Sequence, residues 1–231
     1  MKPYRCILFD LDHTLWDYDT NSSETLEELF HHHKLNESGM PSFPDFLKTF
    51  ETVNTHLWTL YDTGQIHRDV IRYDRFHKIM LEMGVDNYEL SLTLSNEYVD
   101  RSPKKGALMP NAIEVLKYLH PKYPMTIVTN GFDEIQSVKM ASSGITSYFK
   151  SVVTSARAGH KKPAKEIFEF ALAENGFTAQ ETIMIGDNLL TDIGGARNAS
   201  LDTVYFNPNK IPHQEKTEFE ISDLKELLNI L

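Results

Sequence analysis

Cysteine is nearly absent. One residue, Cys6, occurs among 231, so no internal disulfide can form and a reducing compartment is expected. Its place in an apolar run reads as a packed thiol, not a reactive one. Positive charge is also short. Lys and Arg number 23 against 33 Asp and Glu, a formal net charge of −10. That balance argues against a nucleic-acid polymer or an anionic membrane as partner. A small anion could bind only where positive potential is concentrated locally. No run approaches the ~18 apolar residues of a membrane span. The opening MKPYRCILFD ends its short apolar stretch in an acid and has no small-residue cleavage site, so a signal peptide is not expected. A cytoplasmic protein is therefore the expectation. Internal repeats and low-complexity tracts are missing too. His31, His32 and His33 are adjacent, and neighbours on a helix point apart, which predicts a solvated helix end rather than a joint metal site.

What remains is an ordinary folding composition, 41% hydrophobic with 10 prolines, long enough for a domain carrying a smaller one. Short apolar runs at 6–9, 125–129, 152–154, 182–185 and 203–206 predict buried strands. Helical patterns lie between the later ones, in NAIEVLKYL from Asn111, in DEIQSVKMASSG from Asp133 and in AKEIFEFALAENG from Ala164. Gly144 and Gly176 would suit C-caps. Strands alternating with single helices imply an α/β fold, a doubly wound parallel sheet. Residues 17–104 break the alternation. They hold helical segments near 22–34, 44–61, 70–83 and 88–101, separated by NESGMPSFP, DTGQIHRD and MGVDN. The chain thus reads as a core of 1–16 and 105–231 with an inserted helical domain at 17–104. Hinges are expected near 17–20 and 102–106.

In an open parallel sheet, ligands bind outside the carboxyl ends of the strands. The first strand exits into DLDHT, with Asp10 and Asp12. The second exits into TNGF, with Thr129, Asn130 and Gly131. The third leads to GHKKP, with Lys161 and Lys162, and the fourth to GDNLLTD, with Asp187 and Asp192. Carboxylates from two strand ends suit Mg²⁺, which takes one or two of them together with waters and a substrate phosphate oxygen. Asp10 and Asp187 fit that role, with Asp192 as a third acid or an orienting group. Thr129 and the amides of Asn130 and Gly131 suit a phosphate cradle, and a lysine supplies a point charge. Each element also has a bland reading. A D-x-D ends many strands, TNG makes a good turn, KKP suits a solvated loop and GD an N-cap. Function is favoured because all four occur together, in this order.

That combination resembles the haloacid dehalogenase superfamily of aspartate-nucleophile phosphohydrolases. The resemblance rests on FDLDHTL, VTNG, KKPAKEIF and IGDNLLTDIGGA and spans nearly the whole chain. The helical insertion stands where the family carries an α-helical cap on its Rossmann-like core. TNGFDEIQSVKMASSGITSYF and AGHKKPAKEIFEFAL are similar to the branch containing bacterial pyrimidine 5′-nucleotidases. The resemblance implies that Asp10 is the nucleophile, forming an aspartyl-phosphate. Asp12 would protonate the leaving alcohol and then activate water, and Leu11 between them would point into the core. Mg²⁺ would be held by Asp10, the Asp12 carbonyl and Asp187. Thr129, Asn130 and Lys162 would bind phosphoryl oxygens, with Asp192 orienting Lys162 or a metal-bound water. Lys162 is chosen over Lys161 because the family's lysine directly precedes proline.

Members that cleave carbon–halogen bonds lack the second acid, so Asp12 points to phosphate esters. A small phosphorylated metabolite is the expected partner, a nucleoside monophosphate first. The alternatives are a phosphosugar or phosphoglycolate phosphatase, a phosphosugar mutase and a non-catalytic binding protein. The insertion holds Trp58, Tyr61, Tyr73, Phe76, Tyr88 and Tyr98, aromatics able to stack on a base but equally suited to an interhelical core. Trp16 is the aromatic expected at the entrance between the parts, unless it packs at the hinge. His67 and Arg72 are further polar candidates that are not counted among the site residues.

Overall fold

The computed structural model describes residues 4–231. The chain runs β1 (Cys6–Phe9), α1 (Tyr18–His32), α2 (Phe43–Asp62), α3 (Arg75–Glu82), α4 (Tyr88–Arg101), α5 (Ala112–Leu119), β2 (Met125–Thr129) and α6 (Asp133–Ser142). It continues through β3 (Ser151–Thr154), the single turn α7 (Ser155–Ala158), α8 (Lys165–Asn175), β4 (Thr182–Gly186), α9 (Gly195–Asn198), β5 (Asp202–Phe206) and β6 (Phe219–Ile221). It divides into two compact units, Met1–Tyr18 with Gly106–Leu231, and Asp19–Lys105.

The first unit is built on a six-stranded sheet in the order β3-β2-β1-β4-β5-β6, with every neighbouring pair parallel. All residues of β1, β2 and β4 are buried, which is why these strands read as continuous apolar runs and not as an alternation. Period-two geometry sends Ile7 and Phe9 of β1 into a layer with Leu116 of α5 and Met140 of α6. Cys6 and Leu8 go to the opposite layer, with Phe168 of α8 and Ala196 of α9. Both faces are covered, so the fold is a doubly wound α/β sheet. Phe9 pairs with Ile127 on one side and Ile185 on the other. The carboxyl ends of β1, β2 and β4 are therefore level where the strand order reverses, the position at which such sheets bind ligands.

The sixth strand was not expected from the sequence. β6 has three residues and only Ile221 is buried, too little apolar pattern to stand out. Of the two places open to Trp16, packing beside the hinge is the one found. The residue is fully buried, bridges Leu108 and packs in the core layer of the first unit.

The second unit is helical, with a core that includes Leu26, Leu29, Phe46, Phe50, Phe76, Ile79, Leu94 and Tyr98. Ser42 caps α2 by accepting from the Asp45 amide, with Pro44 in the first turn. Asn87 caps α4 in the same way. A π turn over Val70–Asp74 precedes α3, where the sequence pattern ran on as one helix. Phe76 and Tyr98 are interior, whereas Tyr73 and Tyr88 are 44% and 50% exposed. Arg72 donates to the Ser95 carbonyl and to Asn96. His67 lies at the surface beside Asp69.

Burial pushes the Cys6 thiol up to about 11, so iodoacetamide at pH 8 should leave the native protein unmodified. Unfolding in guanidinium should expose one alkylation site, counted by intact mass.

Candidate active site

A buried ammonium ties three strand exits together. Lys162 donates to Asp10 Oδ1 at 2.5 Å, to Asp192 Oδ1 at 2.6 Å and to the Val128 carbonyl at 2.8 Å. These three acceptors match its three N–H bonds. Its backbone is clamped as well. The Lys162 amide donates to Asn130 Oδ1 at 2.8 Å, and Asn130 Nδ2 donates to the Lys162 carbonyl at 2.9 Å. Asp10 follows β1 directly, and its amide donates to the Ile185 carbonyl on β4 at 2.9 Å. Asp192 sits on a π turn, Leu189–Gly194, and accepts from the Asn188 amide at 3.0 Å through Oδ2. A Cβ on Gly186 would fall 2.4 Å from that oxygen, so only glycine lets the carboxylate lie against the end of β4. Asp187 accepts from the Thr14 hydroxyl at 3.0 Å.

The electrostatics are unbalanced. Burial pushes the proton affinity of Asp10 well above the ordinary carboxylate value; Lys162 opposes this, and Asp192 and Asp187 add to it. Burial, then Asp192, pushes Asp187 up to about 7. Burial alone would lower Lys162, but Asp10 and Asp192 hold it above the usual lysine value. Three carboxylates around one ammonium leave negative charge uncompensated in a buried place.

Asp12 stands apart from this knot and has its own lysine. Lys139 of α6 donates to Asp12 Oδ1 at 2.5 Å, and Gln136 Nε2 donates to Oδ2 at 3.0 Å. Burial works to raise its pKa, but the Lys139 charge and the two hydrogen bonds hold it below the ordinary value. Thr129 Oγ1 accepts from the Gly131 amide and from Gln136 Nε2, both at 3.0 Å, which leaves its own hydroxyl proton to donate.

Asp10, Lys162 and Asp192 thus meet directly, with Asp187 beside them. Thr129 is linked to Asp12 through Gln136. The Asn130 side chain is spent on the backbone of Lys162. Lys162, not Lys161, is the lysine in the knot. Three residues escaped the sequence reading: Thr14, Gln136 and Lys139. Gln136 and Lys139, both buried, are polar residues three apart on the helix that leaves the TNG turn. An amphipathic pattern does not distinguish such a face from solvent.

Among the described residues, Asp10, Asp187 and Asp192 bring carboxylate oxygens within 4.8 Å of one another. An all-oxygen donor set with surplus negative charge fits a hard divalent cation such as Mg²⁺. Asp192 is already engaged by Lys162 and Asn188, which leaves Asp10 and Asp187 as the ligands available. His32, His33 and Glu97 form a second such group. The rings of His32 and His33 are perpendicular at 4.8 Å and do approach each other, contrary to the divergence expected on a regular helix. Glu97, however, is held by His33 at 3.0 Å and Arg101 at 2.5 Å.

Comparison with known proteins shows the family. A family model described as haloacid dehalogenase-like hydrolase matches residues 7–206. HAD-hydrolase YfnB of Bacillus subtilis is 32% identical, with 100% of this chain and 97% of that protein covered. Pyrimidine 5′-nucleotidase PynA of Streptococcus pneumoniae is 29% identical, covering 99% and 95%. Pyrimidine 5′-nucleotidase YjjG of Escherichia coli is 29% identical, covering 97% and 96%. The crystal structure of magnesium-bound YfnB superposes with a TM-score of 0.90 at 30% identity and covers 99% of both chains.

The raised value of Asp187 has a consequence for stability. A carboxyl that binds its proton more tightly when folded contributes stability that is fully present below its unfolded pKa of ~3.9. That contribution is gone once the pH has risen through about 7. Chemical denaturation in EDTA should therefore show stability falling between those values. Mg²⁺ should offset the loss, and Asp187→Asn should flatten the profile.

Proposed function

The chain belongs to the haloacid dehalogenase-like hydrolases, and on that basis we propose that it is a Mg²⁺-dependent phosphomonoester hydrolase acting on pyrimidine nucleoside monophosphates. The observation that carries the reading is the second acid. Asp12 is two residues beyond Asp10 yet engaged by a separate lysine, Lys139, so the two carboxylates are equipped for different tasks. A halide departs without a proton, whereas an alkoxide needs one. The full-length likeness to two pyrimidine 5′-nucleotidases supports the substrate class. The inserted helical unit takes the part of the family's cap domain.

In the proposed reaction, Asp10 attacks phosphorus. The new Asp10–phosphorus bond forms as the bond to the ester oxygen breaks, and Asp12 gives its proton to that oxygen. Water then attacks the aspartyl-phosphate, Asp12 takes the water's proton, and inorganic phosphate leaves with Asp10 regenerated. The Thr129 hydroxyl and the amide of Asn130 hold phosphoryl oxygens, and Lys162 supplies positive charge beside them while its N–H bonds stay on Asp10, Asp192 and the Val128 carbonyl. Asp10, Asp187 and the Asp12 carbonyl would hold Mg²⁺, which when bound offsets the negative charge of the group in transfer. Asp12 starts as a carboxylate paired with Lys139. The phosphate's own negative charge raises its proton affinity as substrate arrives, and Asp12 takes from solvent the proton that it then gives to the ester oxygen.

A phosphate-release screen with Mg²⁺ over nucleotides, phosphosugars and phosphoglycolate tests the proposal. UMP, dUMP or dTMP should release phosphate fastest. Preference for sugar phosphates would replace the substrate class, and isomerised sugar without free phosphate would mean a mutase. Asp12→Asn should lower turnover by ~10²-fold or more while retaining Mg²⁺ binding by calorimetry. Unchanged turnover would remove Asp12 from the chemistry.

A further inference from the structure

We propose that Lys139 is a positioning residue for proton transfer: together with Gln136 it fixes the direction in which the Asp12 carboxyl group points. The inference rests on the reading of Asp12 as the group that protonates the leaving oxygen.

Lys139 is 6% exposed, an uncommon state for a lysine and a costly one unless its charge is met. Its ammonium meets Asp12 Oδ1 at 2.5 Å and lies 4.3 Å from the centre of the Trp16 ring. The ring face adds cation–π attraction on a side where no water is needed. This also accounts for the burial of Trp16, which forms a wall of the lysine's site. Gln136 is 1% exposed and grips the other carboxylate oxygen while bonding Thr129 through the same nitrogen. Its Oε1 is buried and has no hydrogen-bond partner. The amide is therefore turned to serve Asp12 and Thr129, not to satisfy itself.

The Asp12 side chain is 25% exposed, and without these two donors its carboxyl would be free to rotate. With one donor on each oxygen, the plane of the group is set by a single helix. That helix begins just after the turn holding Thr129, Asn130 and Gly131, so the cradle and the proton donor share one rigid support. Gly131 keeps the passage open. A Cβ there would lie 1.6 Å from Gln136 Nε2, overlapping the amide that reaches Asp12. Correct aim at the reacting oxygen is worth orders of magnitude in rate, so loss of this support should register in the proton-dependent step alone.

First-turnover cleavage of two esters tests the proposal: 2,4-dinitrophenyl phosphate, whose phenolate departs without a proton, and the alkyl phosphate ranked first by the screen above. Asp12→Asn is the reference, and it should slow the alkyl ester selectively. Lys139→Met should slow the alkyl ester by ~30-fold or more while leaving dinitrophenolate release within ~3-fold of the parent. Lys139→Arg should recover most of the loss. Equal slowing of both esters by Lys139→Met, with Asp12→Asn still selective, would make Lys139 a purely structural residue and overturn the proposal. Loss of selectivity in Asp12→Asn itself would instead overturn the reading of Asp12. If Lys139→Met does not fold by thermal melting, Gln136→Met, a neutral exchange, should show the same selectivity at ~5-fold or more. Equal slowing there overturns the proposal as well.

Discussion

The ammonium of Lys162, buried between Asp10 and Asp192, is the contact on which the rest of the strand-end cluster depends. Taking an ammonium out of water costs several kcal/mol, recovered only when every N–H finds a well-placed acceptor. Lys162 finds three, from the exits of β1, β2 and the π turn after β4. Its backbone cannot drift, because Asn130 holds the amide and the carbonyl. Asp192 in turn needs Gly186 to be a glycine. Removing Lys162 would leave Asp10 and Asp192 buried without their cation, so the cluster is held by electrostatics as well as by packing.

The same cluster separates two carboxylates only two residues apart. Asp10 is driven to higher proton affinity by burial and by its acidic neighbours, and Asp12 to lower affinity by Lys139 and Gln136. For the proposed chemistry this is the inverse of what each must do, since a nucleophile should be ionised and a proton donor protonated. Ligands correct both. In the proposed reaction, a divalent cation beside Asp10 and Asp187 would favour their charged forms, and a phosphate beside Asp12 would favour its neutral one.

Much of this was readable from residue order. Asp10 and Asp187 directly follow apolar runs that read as buried strands, Lys162 lies in the loop that a third such run leads to, and strand exits in a parallel sheet share an edge. Gln136 and Lys139 were not readable as site residues, because on a helix a polar pair three apart is the ordinary signature of a solvated face. Trp16 stayed open between two places for a related reason. Its sequence position just after DLDHT said nothing of the bridge to Leu108 that carries it inward. β6 was missed because three residues with one buried side chain make no pattern.

The sequence by itself determined the sheet, the helical interruption and the acids and lysine at the strand exits, since these follow from local hydrophobic period and chain order. Only the tertiary structure decided which lysine serves which acid. Lys162 crosses 152 residues of chain to Asp10 and Lys139 crosses 127 to Asp12. Such pairings are set by strand order and helix packing, which bring side chains together without leaving a spacing in the sequence. The stretch from Asp10 to Asp12 names the two carboxylates; their difference in character comes from the elements folded against them.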